Sequence, residues 1–210
     1  MKIACFELGP VATNAFLIWD EVTKNAALVD APPGAWKAVQ PVLDEHDLKL
    51  SQLLLTHGHW DHMAGASEVK AEGVETWGHP ADRQLFAEPA VMSVFAMPGM
   101  DFEPVEIDYW IDDGDMVNVF GEQAEVRHVP GHCPGNVLFY FQENEVALVG
   151  DAIFAGSIGR TDLPGGDFDV LERAIRKRIY TLPDDIVLLP GHGPSTTVAR
   201  EKATNPYVSE

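Results

Sequence analysis

The sequence predicts an α+β fold in which two β-sheets pack face to face with helices on the outside. Three observations lead there. Strand-like runs dominate both halves of the chain, and each set is followed by helical stretches. The 210 residues, 46% of them hydrophobic, supply a sizeable core. No low-complexity linker divides the chain, so the expectation is one domain over residues 1–210.

In the first third, residues 3–8, 14–19 and 26–30 read as strands broken at Gly9-Pro10 and at residues 21–25, the pattern of a β-meander. Ala31-Pro32-Pro33-Gly34 turns the chain into a helix from residue 35 to about 45, and the apolar run 53–55 reads as a short buried strand that ends at His57. Residues 64–71 read as helix, 74–77 as extended chain, and 80–86 as a helix with Pro80 in its first turn. Residues 89–100 carry no decisive pattern. A second sheet is expected from 105–111, 125–129, 137–141 and 146–149, with turns at Asp112-Asp113-Gly114 and Glu143-Asn144. Residues 167–180 read as a helix with Asp167 as N-cap and Arg173, Arg176, Lys177 and Arg178 toward its C-terminal end, where the helix dipole favours cations. Residues 186–189 are the last strand and 196–203 a closing helix.

The chain is acidic, with 33 Asp and Glu against 14 Lys and Arg and a formal net charge of −19. Such a field repels phosphate backbones, so nucleic acid is not an expected partner. Divalent metal held by carboxylates would cancel part of this charge without reversing its sign. Cys5 and Cys133 cannot build a disulfide framework and lie in no Cys-x-x-Cys pattern, which fits a reducing compartment. Glu7 and Pro10 interrupt the apolar N-terminal residues, so a signal-peptide core is lacking, and no stretch approaches membrane-spanning length. The expectation is a cytoplasmic protein with no membrane partner.

The strongest chemical signal is Thr56-His57-Gly58-His59-Trp60-Asp61-His62, where four ligand-type residues follow a buried strand. Imidazole and carboxylate suit zinc, iron and manganese. A loop, freed by Gly58, is expected to turn neighbouring side chains toward two different ions. His132, Asp151 and His192 each follow a predicted strand and sit beside glycine. Seven ligand-type residues at four strand ends argue against a merely histidine-rich surface loop.

In this His-x-His-x-Asp-His run, followed by a separate His, Asp and His, the chain resembles the metallo-β-lactamase superfamily over nearly its whole length. The resemblance implies a four-layer αββα sandwich. Carried over position by position, it implies that His57, His59 and His132 hold one divalent ion, Asp61, His62 and His192 a second, and that Asp151 bridges them. Zinc comes first, with iron or manganese also fitting. A carboxylate at 151 argues against a true β-lactamase, where that position is commonly Cys or the bridging Asp is missing, and His59 argues against the flavodiiron pattern, which has Glu there.

The segment from Gly150 to Asp162 narrows the resemblance to glyoxalase II and its short bacterial relatives. Their substrate is S-lactoylglutathione, a small-molecule thioester. The implied chemistry is attack of a metal-bound hydroxide on the thioester carbonyl, with Asp61 and Asp151 as the catalytic carboxylates. A thiol of pKa about 8.5 leaves without a strong general acid. Two departures stand out: full-length glyoxalase II continues into a helical glutathione-binding domain, whereas only residues 193–210 follow His192, so the glutathione site must differ, and Asp162 stands where the family has an aromatic glutathione contact. Arg160 is the candidate for a substrate carboxylate, through its planar fork. The competing role for Arg160 is a salt bridge to Asp162 or Asp167.

A rival reading on the same fold is an iron-dependent persulfide dioxygenase, which also shows a segment like Gly159-Arg160-Thr161-Asp162. A third class, a non-catalytic metal or nucleic-acid binder, is opposed by the acidity and by the complete ligand set. Among other residues, His46 is expected to be solvated, His79 to pack or cap, and His128 to be structural or exposed, with orientation of a ligand from behind as its alternative role. Cys133 is expected to be a small buried thiol, Trp60 and Phe154 to serve as pocket wall or core, and the 173–178 basic run to be a helix face.

Overall fold

The structure, a computed structural model, describes residues 1–95 and 103–209. β1 (Lys2–Leu8), β2 (Thr13–Trp19) and β3 (Asn25–Val29) form the expected antiparallel meander. α1 (Ala35–His46) then carries the chain back so that β4 (Lys49–Leu54) lies parallel to β3. After the short helices α2 (Trp60–Met63) and α3 (Ala66–Lys70), β5 (Glu75–Gly78) pairs parallel to β4. α4 (Arg83–Ala87) follows, and β6 (Tyr109–Trp110) closes this first sheet in the order β1-β2-β3-β4-β5-β6.

The second sheet uses β7 (Met116–Val119), β8 (Glu122–His128), β9 (Val137–Phe141) and β10 (Val146–Gly150). A separate hairpin, β11 (Ile153–Phe154) and β12 (Ser157–Ile158), comes next, followed by α5 (Phe168–Ala174). β13 (Val187–Pro190) and β14 (Thr196–Thr197) complete the order β14-β13-β10-β9-β8-β7, and α6 (Val198–Thr204) covers them.

Alternation along the strands builds the layers. In β2, Phe16 and Ile18 join Val29 and Leu54 against Val126, Phe139 and Leu148 of the other sheet, while Ala15, Leu17 and Trp19 face Val39, Leu43 and Val69 of α1 and α3. On the far side, Leu138, Val149 and Leu188 meet Leu171, Ile175 and Val198 of α5, its extension and α6. Each sheet is covered on both faces, which is why β2, β9 and β10 read as nearly unbroken apolar runs. Burying one such Leu, Ile or Phe contributes about 1.5–3 kcal/mol. The result is the αββα sandwich. Among the described residues, no helix is long and apolar enough to cross a membrane.

Several expected elements are redrawn. The strand expected at 105–111 shrinks to β6, and it joins the first sheet rather than the second. Its Val105 and Ile107 pack into the helix-side core, and Val105 bonds through its N–H to the Phe86 carbonyl, so burial without a ladder explains their alternation. The helix expected at 64–71 is confined to α3: Ala64 caps α2, and the Gly65 N–H bonds to the Ala31 carbonyl. Residues 89–95 form a 3₁₀ stretch; the rest of the undecided segment, 96–100, lies outside the described residues. The helix at 167–180 begins as expected, with the Asp167 carboxylate accepting from the Val170 N–H, but loosens into a π-turn over Ile175–Ile179. β7 was not anticipated, its two buried valines being masked by polar neighbours.

Candidate metal centre

Each predicted ligand sits where a strand stops. His57 and His59 follow β4, His132 lies between β8 and β9, Asp151 follows β10 directly, and His192 follows β13. Asp61 and His62 depart from expectation: they sit on the one-turn helix α2 rather than on a loop. Gly58 also works differently, since a Cβ there would lie 2.7 Å from the Cβ of Leu85, so it permits close packing rather than a left-handed backbone.

The seven side chains converge. His59 Nδ1 lies 2.8 Å from His132 Nε2, and His62 Nε2 lies 3.3 Å from Asp151 Oδ1. His192 Nε2 lies 3.2 Å from Asp61 Oδ2 and 3.4 Å from Asp151 Oδ2. Three sets have donor atoms within 4.8 Å of one another: His57, His59 and His132; His57, His62 and Asp151; and Asp61, His62 and His192.

Two observations test the fit to metal. His57 Nε2, His59 Nε2, His62 Nε2 and Asp151 Oδ1 are buried without a hydrogen-bond partner, which is rare unless an ion satisfies such atoms. The far nitrogens are already engaged: His57 Nδ1 with the Thr56 hydroxyl at 3.0 Å, His62 Nδ1 with Asp30 at 2.7 Å, His132 Nδ1 with the Arg160 carbonyl at 2.8 Å, and His192 Nδ1 with the Ala12 carbonyl at 3.2 Å. That pattern leaves four Nε2 atoms facing inward, as in metal sites whose rings are oriented from behind. The fold and this His/Asp cluster indicate divalent metal ions.

Electrostatics divides the cluster. Burial, with neighbouring rings, lowers His57 far below the ordinary imidazole value and His59 to about 3. Burial acts against the charged form of His62 and His192 too, but the Asp151 and Asp61 carboxylates outweigh it, raising His62 strongly and His192 to about 10. In return, and despite burial, those rings hold Asp61 at about 2 and Asp151 well below the usual carboxylate range. Without metal the site stores its protons on the Asp61 side and keeps His57 and His59 neutral.

Sequence reasoning missed the residues behind the ligands. Asp30 binds the Thr56 N–H and hydroxyl, both at 2.8 Å, as well as His62. Thr13 donates to Asp61 at 2.9 Å, and Asn136 accepts from the Asp151 N–H at 3.1 Å. Asp82 accepts from the Gly58 N–H (2.9 Å), the Gly135 N–H (2.6 Å) and Cys133 Sγ (3.2 Å), tying the His57–His59 segment to the His132 loop. Burial raises the Asp82 carboxyl above its ordinary value, against the pull of these donors. The available signal was a short polar residue at the end of a strand, as Asp30 and Asn136 are.

The lesser expectations divide. His79 caps, accepting from the Ala81 N–H, and Cys133 is buried. His46 is half-buried against Trp19 rather than solvated. His128 stacks on His79 and bonds to the Pro134 carbonyl, not to a ligand ring. Arg176 pairs with Glu172 and Arg178 with Asp113, as a helix face would.

A cavity of about 350 Å³ opens over the cluster, lined by His59, Asp61, His132, Asp151 and His192 together with Trp60, Met92, Phe154, Ile158 and Leu163. Arg160 reaches this lining as well, with its guanidinium forked onto Asp162 through two 2.7 Å contacts. Of its two predicted salt bridges, the one to Asp162 is the one formed.

Comparison with known proteins agrees with this geometry. The sequence model of the metallo-beta-lactamase superfamily matches residues 8–192. Hydroxyacylglutathione hydrolase GloC of Haemophilus influenzae is 40% identical, covering 100% of this chain and 99% of that protein. The crystal structure of BLEG-1 B3 metallo-beta-lactamase superposes with a TM-score of 0.91 at 31% identity, covering all of both chains. That of TTHA1623 in a di-iron-bound form gives 0.84 at 33% identity, covering 97% of this chain and 99% of the other.

Proposed function

Since the chain belongs to the metallo-beta-lactamase superfamily, we propose that it is a metal-dependent thioester hydrolase acting on S-lactoylglutathione or another hydroxyacylglutathione. The observation that carries this reading is the 40% identity to a hydroxyacylglutathione hydrolase across the whole chain, in a protein that keeps all seven ligand-type residues in one cluster.

In this reading His57, His59 and His132 hold one divalent ion, Asp61, His62 and His192 the other, and Asp151 stands between. Zinc is the first choice; the likeness to a di-iron structure also supports iron, and manganese suits the same donors. Ions bound there supply Lewis acidity and lower the pKa of water toward neutrality. The chain's own residues do the rest. Asp61 and Asp151 stay ionised across the neutral range, so each offers an acceptor oxygen to the attacking water. Thr13 and the Asn136 amide fix where those carboxylates stand. Trp60, Phe154, Ile158 and Leu163 narrow the cavity and limit bulk water. Arg160, which lines the pocket with its guanidinium paired to Asp162, is the residue to meet a glutathione carboxylate, exchanging that partner for the substrate's. A cytoplasmic setting belongs to the same reading, supported by two free cysteines.

The test is anaerobic hydrolysis of S-D-lactoylglutathione by zinc-loaded protein, with Asp151→Ala as control. Turnover that the control loses supports the proposal; none from folded, metal-loaded protein overturns it. A second reading, iron-dependent persulfide dioxygenase, is favoured by the Gly159-Arg160-Thr161-Asp162 segment at the pocket, and oxygen uptake with glutathione persulfide by iron-loaded protein is its signature. A chromogenic cephalosporin, left intact, completes the comparison.

A further inference from the structure

The hairpin β11–β12 contributes Phe154, Ser157 and Ile158 to the cavity lining. It leaves directly from Asp151 and returns directly to Arg160, whose carbonyl orients His132. As a piece of sheet it cannot hold itself. Its ladder has two residue pairs, Ile153 with Ile158 and Phe154 with Ser157. Its turn is Ala155-Gly156, where only Gly156 takes a positive φ of 74° in the second turn position, so it is not one of the primed turns that match strand twist. Isolated two-stranded ribbons are marginal in water even when longer.

Ile153, fully buried, and Ile158 anchor the hairpin in the core beneath the second sheet, and its turn is held by α6 and the residue that caps it. Glu201 is fully buried, and its Oε2 accepts from the Gly156 N–H at 2.9 Å while Oε1 accepts from the Thr196 hydroxyl. Asn205, also fully buried, donates from Nδ2 to the Ser157 carbonyl at 2.9 Å and to Glu201 Oε2 at 2.8 Å. Its Oδ1 accepts from the Tyr207 N–H. A buried carboxylate is costly to retain unless hydrogen bonds compensate it, and the three donors on Glu201 do so. Among the described residues, the side-chain hydrogen bonds of this pair run to the hairpin, to Thr196 of β14, to each other and to Tyr207, not to the seven predicted ligands.

We propose that Glu201 and Asn205 are positioning residues for substrate. By holding Gly156 and Ser157 they fix where Phe154 and Ile158 stand in the pocket, and so set substrate affinity without acting on the metal cluster. The choice of substrate rests on the thioester-hydrolase reading; the clamp does not.

Two measurements on full-length, metal-loaded protein test this, with Glu201→Gln and Asn205→Ala beside wild type. Amide hydrogen exchange reports the clamp without substrate: residues 153–158 should exchange at least about tenfold faster in both variants, the loss of one net hydrogen bond's worth of protection, while β10 is unchanged. Kinetics on S-D-lactoylglutathione should show KM raised about three- to tenfold with kcat within about twofold, the mark of lost binding rather than lost chemistry, at unchanged metal content. Wild-type exchange at 153–158, loss of metal, or a fall in kcat at constant KM would each overturn the proposal. Should Asn205→Ala fail to fold, Asn205→Leu, close in size but without the amide donors, replaces it. Should wild type leave S-D-lactoylglutathione intact, that reading fails by itself; exchange still decides the clamp, and the KM and kcat split is read on glutathione persulfide.

Discussion

Asp30 Oδ2 lies 2.7 Å from His62 Nδ1, and both residues are buried. The same carboxylate receives the Thr56 hydroxyl, which stands 3.0 Å from His57 Nδ1, so one residue at the end of β3 orients two rings of the cluster.

Asp30→Ala is therefore expected to weaken metal binding by about 10–100-fold, the usual range for removing an orienting partner. Metal retained per chain after dialysis measures it. Asp30→Asn keeps an acceptor oxygen and should lose less; full retention in Asp30→Ala would refute the role.

Asp82→Ala would strand two buried N–H groups and a thiol, at a cost of about 3 kcal/mol or more in unfolding free energy. The wild-type carboxyl also carries a pH signature. Burial raises its folded pKa, so the folded state binds the proton more tightly than the unfolded chain. Its contribution is full below the unfolded value and is lost as pH rises through the folded one. Against Asp82→Asn, wild type should lose relative stability over that acidic window, as denaturant titrations at stepped pH would reveal. A difference between the two that does not change with pH would refute it.

Gly191→Ala offers a way to spoil the site with little change to the fold. A Cβ at 191 would collide with Asp151 Oδ1 and come within 2.5 Å of His62 Cε1, while the backbone there has no positive φ to strain. Circular dichroism should match wild type, and bound metal should fall well below one ion per chain. Normal metal content would show that the two side chains can move aside.

Chelation should lower the melting temperature and added zinc should restore it, because an ion bound there would engage buried atoms that lack a hydrogen-bond partner, such as His57 Nε2 and His62 Nε2. Free metal at 100 times its Kd adds about 2.7 kcal/mol. Binding should also release protons near neutral pH, since His62 is raised and His192 sits at about 10, whereas His57 and His59 are already neutral. Affinity should climb with pH up to about 10, and calorimetry in buffers of different ionisation enthalpy counts the protons. A buffer-independent heat would contradict the assignment.

The sandwich was legible because both sheets are buried on two faces, which leaves apolar runs such as Phe16–Ile18 and Phe139–Phe141 visible in the chain. The cluster was legible because histidines and aspartates crowd the strand ends. What stayed hidden depends on contacts far apart in sequence. Val105 and Ile107 alternate like a strand, yet they bury against Phe86 instead of pairing. Asp30, Asp82 and Glu201 look like ordinary acidic residues until the backbone amides, hydroxyls and rings they serve are brought beside them.

Thr13 is bridged to His192, the Asn14 N–H bonds to the Gly191 carbonyl at 2.7 Å, and its side-chain amide reaches the Pro190 and Gly193 carbonyls. On the ribosome the start of β2 must therefore wait for the 190–193 segment to be translated before these bonds can form. Until then the nascent chain has the 57–62 cluster but neither His192 nor the backbone that seats it. Full loading thus waits for the segment that carries His192, and the long-range closure that precedes it is of the kind that slows folding.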